Sequence, residues 1–128
     1  FTVPKREHDL LVARDYGRYA DASGELVVCF LSENDITGGN SGSPVINANA
    51  ELIGIAFDGN WEAMSGDIAY EPELQRTISV DIRYVLWVMD KVEGAKHLVD
   101  ETTVVPALMP NVVPVPKGKP APAPSKKG

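Results

Sequence analysis

A mainly β domain closed by a C-terminal helix, with a disordered proline- and lysine-rich tail behind it, is the fold class that this 128-residue sequence predicts. Three observations carry that prediction. Short apolar runs separated by Gly, Asn and Asp turn residues occupy the stretch from Glu25 to Ile78. From Asp81 the apolar spacing changes to that of one helical face, with Ile82, Val85, Leu86 and Met89 recurring together. Beyond Thr103 the composition shifts to Pro, Val, Ala and Lys with no period at all. Residues 1–103 are therefore expected to form one folded lobe and residues 104–128 a tail.

The elements follow in chain order. Residues 1–25 are polar and mixed: Thr2 to Asp9 reads as an entry loop, and Leu10 to Tyr19 as a short helix or an irregular strand. Leu26-Val27-Val28-Cys29-Phe30-Leu31 reads as a buried strand. Its apolar neighbours make Cys29 a core residue rather than a reactive thiol. Pro44-Val45-Ile46 is a short strand, Asn47-Ala48-Asn49-Ala50 a turn, and Glu51 to Phe57 a longer strand, with Gly54, Gly59 and Gly66 breaking the pattern around and after it. Asp81 is placed to cap the closing helix and Gly94 to end it. In the tail, proline at 106, 110, 114, 116, 120, 122 and 124 removes the amide donors that a strand or helix needs. A solvated linker is the preferred reading of that segment over a polyproline docking ligand.

Composition narrows the function. All 18 acidic residues precede Val104, whereas four of the 12 lysines and arginines (Lys117, Lys119, Lys126 and Lys127) follow it, so a net charge of −6 divides into −10 for the body and +4 for the tail. An acidic body disfavours nucleic acid, which requires a basic surface to displace counterions. No apolar run is long enough to cross a bilayer, and the first residues show no signal-peptide pattern. The chain starts at Phe1, which predicts a processed product or a piece of a longer protein. A single cysteine allows no intrachain disulfide, and two isolated histidines offer no metal-ligand spacing, so neither a metal nor another cofactor is expected.

The chemistry concentrates in Gly38-Gly39-Asn40-Ser41-Gly42-Ser43-Pro44-Val45. A serine hydroxyl is a poor nucleophile at neutral pH, and it needs a base for its proton and amide donors for the charge that develops on the attacked carbonyl. Glycines at 39 and 42 let the backbone turn sharply, so that the N–H groups of Gly39 and Ser41 can form an oxyanion hole. The order of strand, serine loop, short strand, turn and long strand is that of the second barrel of chymotrypsin-like peptidases. A plain turn is the competing interpretation of such a loop. A phosphate-cradling loop is disfavoured because no lysine followed by Ser or Thr is present, and an α/β-hydrolase elbow because no helix pattern follows the serine.

Neighbouring positions leave alternatives open. Asp35 lies six residues before Ser41, where trypsin-like enzymes place the carboxylate of a Lys/Arg pocket, yet Asn34-Asp35 also suits a turn or loop support, which ranks first. Asn40, an amide, cannot pair with a new N-terminus in the manner of zymogen activation. Asp58-Gly59 by spacing alone is a hairpin turn as readily as a binding element. In the chymotrypsin order the base histidine and its aspartate precede the serine. His8 lies too close upstream to come from another barrel, and His97 follows the helix as a surface or capping residue.

Several segments together resemble the S46 family of bacterial dipeptidyl-peptidases, in its dipeptidyl-peptidase 7 type. They are Tyr16-Gly17-Arg18-Tyr19-Ala20-Asp21, Asp35 to Val45 with the serine motif, Phe57-Asp58-Gly59-Asn60-Trp61-Glu62, and Val80-Asp81-Ile82-Arg83-Tyr84-Val85-Leu86-Trp87. The resemblance covers about residues 8 to 101 and corresponds to the C-terminal part of the catalytic domain. It implies a periplasmic or cell-surface serine aminopeptidase that releases dipeptides from free N-termini, built as a chymotrypsin-like double barrel with an extra helical domain, possible as a homodimer. It further implies that Ser41 is the nucleophile, that Asp58 holds the substrate α-ammonium, and that Gly59 lines the pocket for P1, the second residue of the substrate. An arginine stands there in the acidic-specific branch, so glycine implies an apolar or aromatic P1. The histidine, the aspartate and the first barrel would lie outside this chain, which alone is expected to be nearly inactive. Two rivals remain: an HtrA-like or other trypsin-fold endopeptidase, and a non-catalytic remnant that serves as an interaction domain.

Overall fold

A computed structural model describes residues 2–65 and 68–105. Four strands, β1 (Cys29–Ser32), β2 (Pro44–Ile46), β3 (Leu52–Gly59) and β4 (Thr77–Asp81), form one antiparallel sheet in the order β1-β4-β3-β2. Three short helices accompany it: α1 (Lys5–Val12), α2 (Ile82–Trp87) and α3 (Lys96–Asp100). The sheet is open, with β1 and β2 at its borders, so the described residues do not close a barrel. Gly66 and residues 106–128, which carry almost all of the expected tail, lie outside the described residues.

Register decides which side chains turn inward. Phe30 pairs with Ser79, Ser32 with Thr77, Ala56 with Ser79 and Gly54 with Asp81, so these residues share one face. Ser79, Thr77, Asp81 and Ala56 are buried there at 0%, 2%, 5% and 6% exposure. That face is built of small and polar residues, contrary to an apolar-in alternation, because the Phe30 ring lies across it. A Cβ on Gly54 would sit 2.5 Å from Phe30 Cε1 and 2.7 Å from the Val80 carbonyl oxygen. Glycine at 54 is thus a packing requirement. Thr77 satisfies its hydroxyl by donating to the Asn34 carbonyl at 2.7 Å. Cys29 stands on the opposite face of a border strand and is exposed, which corrects its expected place in the core. The strand also begins at Cys29 rather than Leu26, although the Val28 carbonyl still accepts from the Asp81 N–H at 2.9 Å.

Asp81 joins the sheet to the helices. It ends β4, caps α2 by accepting from the Arg83 N–H at 2.8 Å, and pairs bidentately with the Arg83 guanidinium at 2.9 and 2.8 Å. The helix then widens into a π-type turn over Val88–Val92, and Gly94 at φ +69° ends it. A second core forms around Trp87, wholly buried, with Tyr19 and Val92. Tyr84 stacks on the indole at 5.8 Å, Tyr16 meets it edge-on at 6.4 Å, and the indole N–H donates to the Asp15 carbonyl at 2.9 Å.

This cluster explains why the helix, one of the two readings of the segment from Leu10, begins already at Lys5, where a loop is expected. Leu10 and Leu11 pack against it, Glu7 accepts from the Tyr84 hydroxyl at 2.5 Å, and Lys5 pairs with Asp9 one turn along. Tertiary burial overrides a weak local pattern here. Helix α3 was likewise not anticipated; Val99, wholly buried, anchors it.

Gly54→Ala is expected to lose about 1–3 kcal/mol of stability, because the new methyl meets a backbone carbonyl that cannot step aside; urea unfolding measures it. A second expectation concerns Tyr84, whose phenol is pushed up to about 12 by burial and then by the Glu7 carboxylate. The protonated form is favoured in the fold, so its stabilisation is complete below the ordinary phenol value of 10.0 and is lost as pH rises toward about 12. Tyr84→Phe should flatten that alkaline decline in a pH series of thermal unfolding.

Candidate functional site

Two consecutive turns shape the serine loop. The first runs from Thr37 to Asn40, closed by the Asn40 N–H on the Thr37 carbonyl at 3.2 Å. The second runs from Asn40 to Ser43, closed by the Ser43 N–H on the Asn40 carbonyl at 2.9 Å. The third residue of each is a glycine with positive φ, Gly39 at +98° and Gly42 at +92°, as a type II turn requires. Asn40 pins the first turn as well, since its Oδ1 accepts from the Thr37 N–H at 2.8 Å. Its amide thus has a local structural role.

The loop is then fastened to β3. The Gly42 N–H donates to the Ala56 carbonyl at 2.7 Å, and the Ala56 N–H donates to the Ser43 carbonyl at 2.9 Å, which carries the β2–β3 pairing past Pro44. Directly beyond that pair β3 bulges: Ala56 faces Ser79 and Asp58 faces Ile78, which leaves Phe57 as the extra residue. The Ser41 hydroxyl donates to the carbonyl of Phe57 at 3.2 Å. That length is long for an O–H···O bond, so the hydroxyl is weakly held. Ser41 is exposed, and among the described residues the N–H groups of Gly39 and Ser41 find no protein acceptor.

A cleft of about 240 Å³ opens beside the hydroxyl and brings the predicted residues together. Ser41, Asp58 and Gly59 all line it, with Ile36, Phe57, Ala63 and Met64 adding apolar surface. Asp58 is exposed and accepts from the Gly59 N–H through Oδ1 at 2.8 Å. A Cβ on Gly59 would lie 2.9 Å from the Ala63 Cβ and 3.4 Å from Ile36 Cγ2, so the backbone there abuts the short 3₁₀ turn Trp61–Ser65.

Asp35 lines a different recess, with Asn34, Asn40 and Thr77. It does not line the Ser41 cleft, which favours loop support over a pocket base. His8 sits on α1 beside Asp9 at 3.6 Å, and His97 is exposed on α3; neither lines the cleft. Among the described residues no group of three His, Cys, Asp or Glu side chains could hold a metal ion, and no helix is long and apolar enough to cross a membrane. The Phe57 bulge and Ala63 were not singled out by sequence. An alternating strand pattern does not reveal an inserted residue, and a lone alanine carries no signal of what it abuts.

Comparison with known proteins gives a consistent picture. Residues 1–104 match the family model described as Peptidase S46. Among curated relatives, a dipeptidyl-peptidase 7 of Phocaeicola vulgatus is 62% identical over 105 residues, covering 82% of this chain and 15% of the relative. An Asp/Glu-specific dipeptidyl-peptidase of Capnocytophaga gingivalis is 53% identical over 105 residues, again 82% of this chain and 15% of the relative. A crystal structure of Porphyromonas endodontalis DPP11 in complex with the dipeptide Arg-Asp superposes with a TM-score of 0.75 at 49% identity, over 78% of this chain and 14% of that one. The chain thus spans about one seventh of the length of the proteins it matches.

Open space surrounds the positions of added Cβ atoms at Gly38, Gly39 and Gly42, and only the last two have positive φ. Gly39→Ala and Gly42→Ala should each lose about 1–2 kcal/mol through backbone strain alone, whereas Gly38→Ala should stay within about 0.5 kcal/mol of the parent. Denaturant titration of the three variants separates the two outcomes.

Proposed function

The chain belongs to the peptidase S46 family, and on that premise we propose that it is the nucleophile-bearing part of a serine dipeptidyl-peptidase, which releases dipeptides from free N-termini. The observation that supports this best is the single cleft shared by Ser41, Asp58 and Gly59. A hydroxyl and a carboxylate lining one short pocket suit a substrate measured from its amine.

In this proposal the substrate's α-ammonium sits on Asp58, whose carboxylate offsets the hydration that the cation loses on entry. The P1 side chain lies toward Gly59 and the apolar Ile36, Ala63 and Met64. No cation stands at position 59 to hold an acidic P1, so the preference is apolar or aromatic. Ser41 Oγ leaves the Phe57 carbonyl, attacks the carbonyl carbon of P1, and passes its proton to a base from outside this chain. The Gly39 and Ser41 N–H groups receive the oxyanion. The leaving amine takes the proton as the acyl-enzyme forms, and water then releases the dipeptide.

The open sheet fits a second barrel of chymotrypsin type completed by the rest of the polypeptide, with a helical domain contributing to amine recognition. Location in the periplasm or at the cell surface, and pairing of two full-length enzymes, belong to the same proposal.

The test uses the full-length enzyme. Ser41→Ala should remove turnover by at least about 10³-fold, and Asp58→Asn should lower kcat/KM about 10²-fold or more on free-amine peptides. N-acetylated peptides should be cleaved negligibly. Equal cleavage of acetylated and free peptides would instead support an endopeptidase.

A further inference from the structure

Directly after Asp58 and Gly59 comes Asn60, and every polar group it possesses is engaged. Its N–H donates to the Arg76 carbonyl at 3.0 Å, and its Oδ1 accepts from the Arg76 N–H at 2.8 Å. Its Nδ2 donates to the Leu74 carbonyl at 2.8 Å and to Glu62 Oε2 at 2.7 Å. Its own carbonyl accepts from the Ala63 N–H at 3.0 Å. The two bonds to Arg76 reproduce one rung of an antiparallel ladder, with a side chain replacing a backbone carbonyl. The ladder thereby ends one residue beyond the Gly59–Thr77 pair, and the chain is free to enter the Trp61–Ser65 turn.

These bonds converge on the two features that give the cleft its dimensions. One is the Asp58–Gly59 segment, in which Asp58 is exposed and the last register pair is at Gly59. The other is Ala63, whose Cβ abuts Gly59. Without the amide, the register pairs of β3 still run to Gly59, but the strand end loses what fixes it against the turn. Asn60 itself lines the cleft, but with its polar groups already committed to the fold. Resting on the proposed function above, we propose that Asn60 is a positioning residue for the amine- and P1-binding part of the cleft: it sets the distance from the Asp58 carboxylate and the Gly59 backbone to Ser41 and offers substrate no free donor.

Such a role separates substrate binding from nucleophile reactivity. Asn60→Asp keeps the Oδ1 acceptor and nearly the same volume, but turns the Nδ2 donors into an acceptor facing the Leu74 carbonyl and the Glu62 carboxylate. In the full-length enzyme this variant should raise KM for free-amine dipeptide substrates about 10- to 100-fold. Labelling of Ser41 by a fluorophosphonate, which does not use the amine site, should remain within about twofold of the parent.

Val99→Ala is the control for stability alone. Val99 is wholly buried in α3 and is absent from the cleft lining. Its truncation should lower the melting temperature and leave KM unchanged. A KM for Asn60→Asp within about twofold of the parent, or a fall in labelling as large as the fall in kcat/KM, would overturn the inference. An equal KM rise in Val99→Ala would overturn it too. If the parent enzyme neither cleaves free-amine peptides nor labels at Ser41, the proposed function fails first and this inference with it.

Discussion

One reciprocal pair of backbone hydrogen bonds, Gly42 to Ala56 and Ala56 to Ser43, holds the serine loop on the sheet. A loop of glycine, asparagine and serine has little to bury and much conformational entropy to lose. No disulfide braces it, since Cys29 is the chain's only cysteine. Its shape therefore depends on β3, a strand held on both sides. The bulge at Phe57 follows immediately, so the residue next after the fastening supplies the carbonyl that the Ser41 hydroxyl reaches. Asp58 and Gly59 come next along the same strand. The carbonyl that holds the hydroxyl, an anion and a bare backbone are thereby presented at successive positions of one element, which constrains their separations more tightly than three independent loops would.

The remainder of the described chain keeps that strand in place. β4 pairs with β3 and β1, and the inward face between them is small or polar: Gly54, Ala56, Ser79 and Thr77 lie under or beside Phe30. Asp81 then converts the end of β4 into the start of α2, and the Trp87 cluster gathers α1 and the Tyr16–Tyr19 segment against that helix. Two small cores, one largely of β residues and one of aromatic rings, thus meet where the part-buried ion pair between Asp81 and Arg83 turns β4 into α2.

Features that rest on local chemistry were legible in the sequence. Pro44–Ile46, the Asn47 turn, the strand ending near Phe57 and the Asp81 cap each follow from turn residues, alternation or capping within a few positions. The glycines at 39 and 42 also announced turns of positive φ. What depended on distant partners was not legible. Helix α1 takes its stability from Leu10 and Leu11 packing against the cluster of Tyr19, Trp87 and Val92, two of whose members lie more than seventy residues away. Cys29 lies in an apolar run, but its side chain falls on the face that β4 and Phe30 leave open. That Ser41, Asp58 and Gly59 belong to one site was implied by the family resemblance, but the bulge beside the serine loop is announced by no periodicity. Asn60 has the appearance of an ordinary turn residue until its five hydrogen bonds are seen together.

The contact between Gly59 and Ala63 has an evolutionary consequence. Any side chain at 59 places its Cβ 2.9 Å from the Ala63 methyl, which is bonded directly to the backbone of a tight turn and has no rotatable bond by which to swing aside. Changes at the two positions are therefore epistatic. A lineage that acquires a bulky or charged residue at 59 must first, or at the same time, reshape the turn that carries 63, so selectivity at this end of the cleft drifts by linked steps rather than by single exchanges.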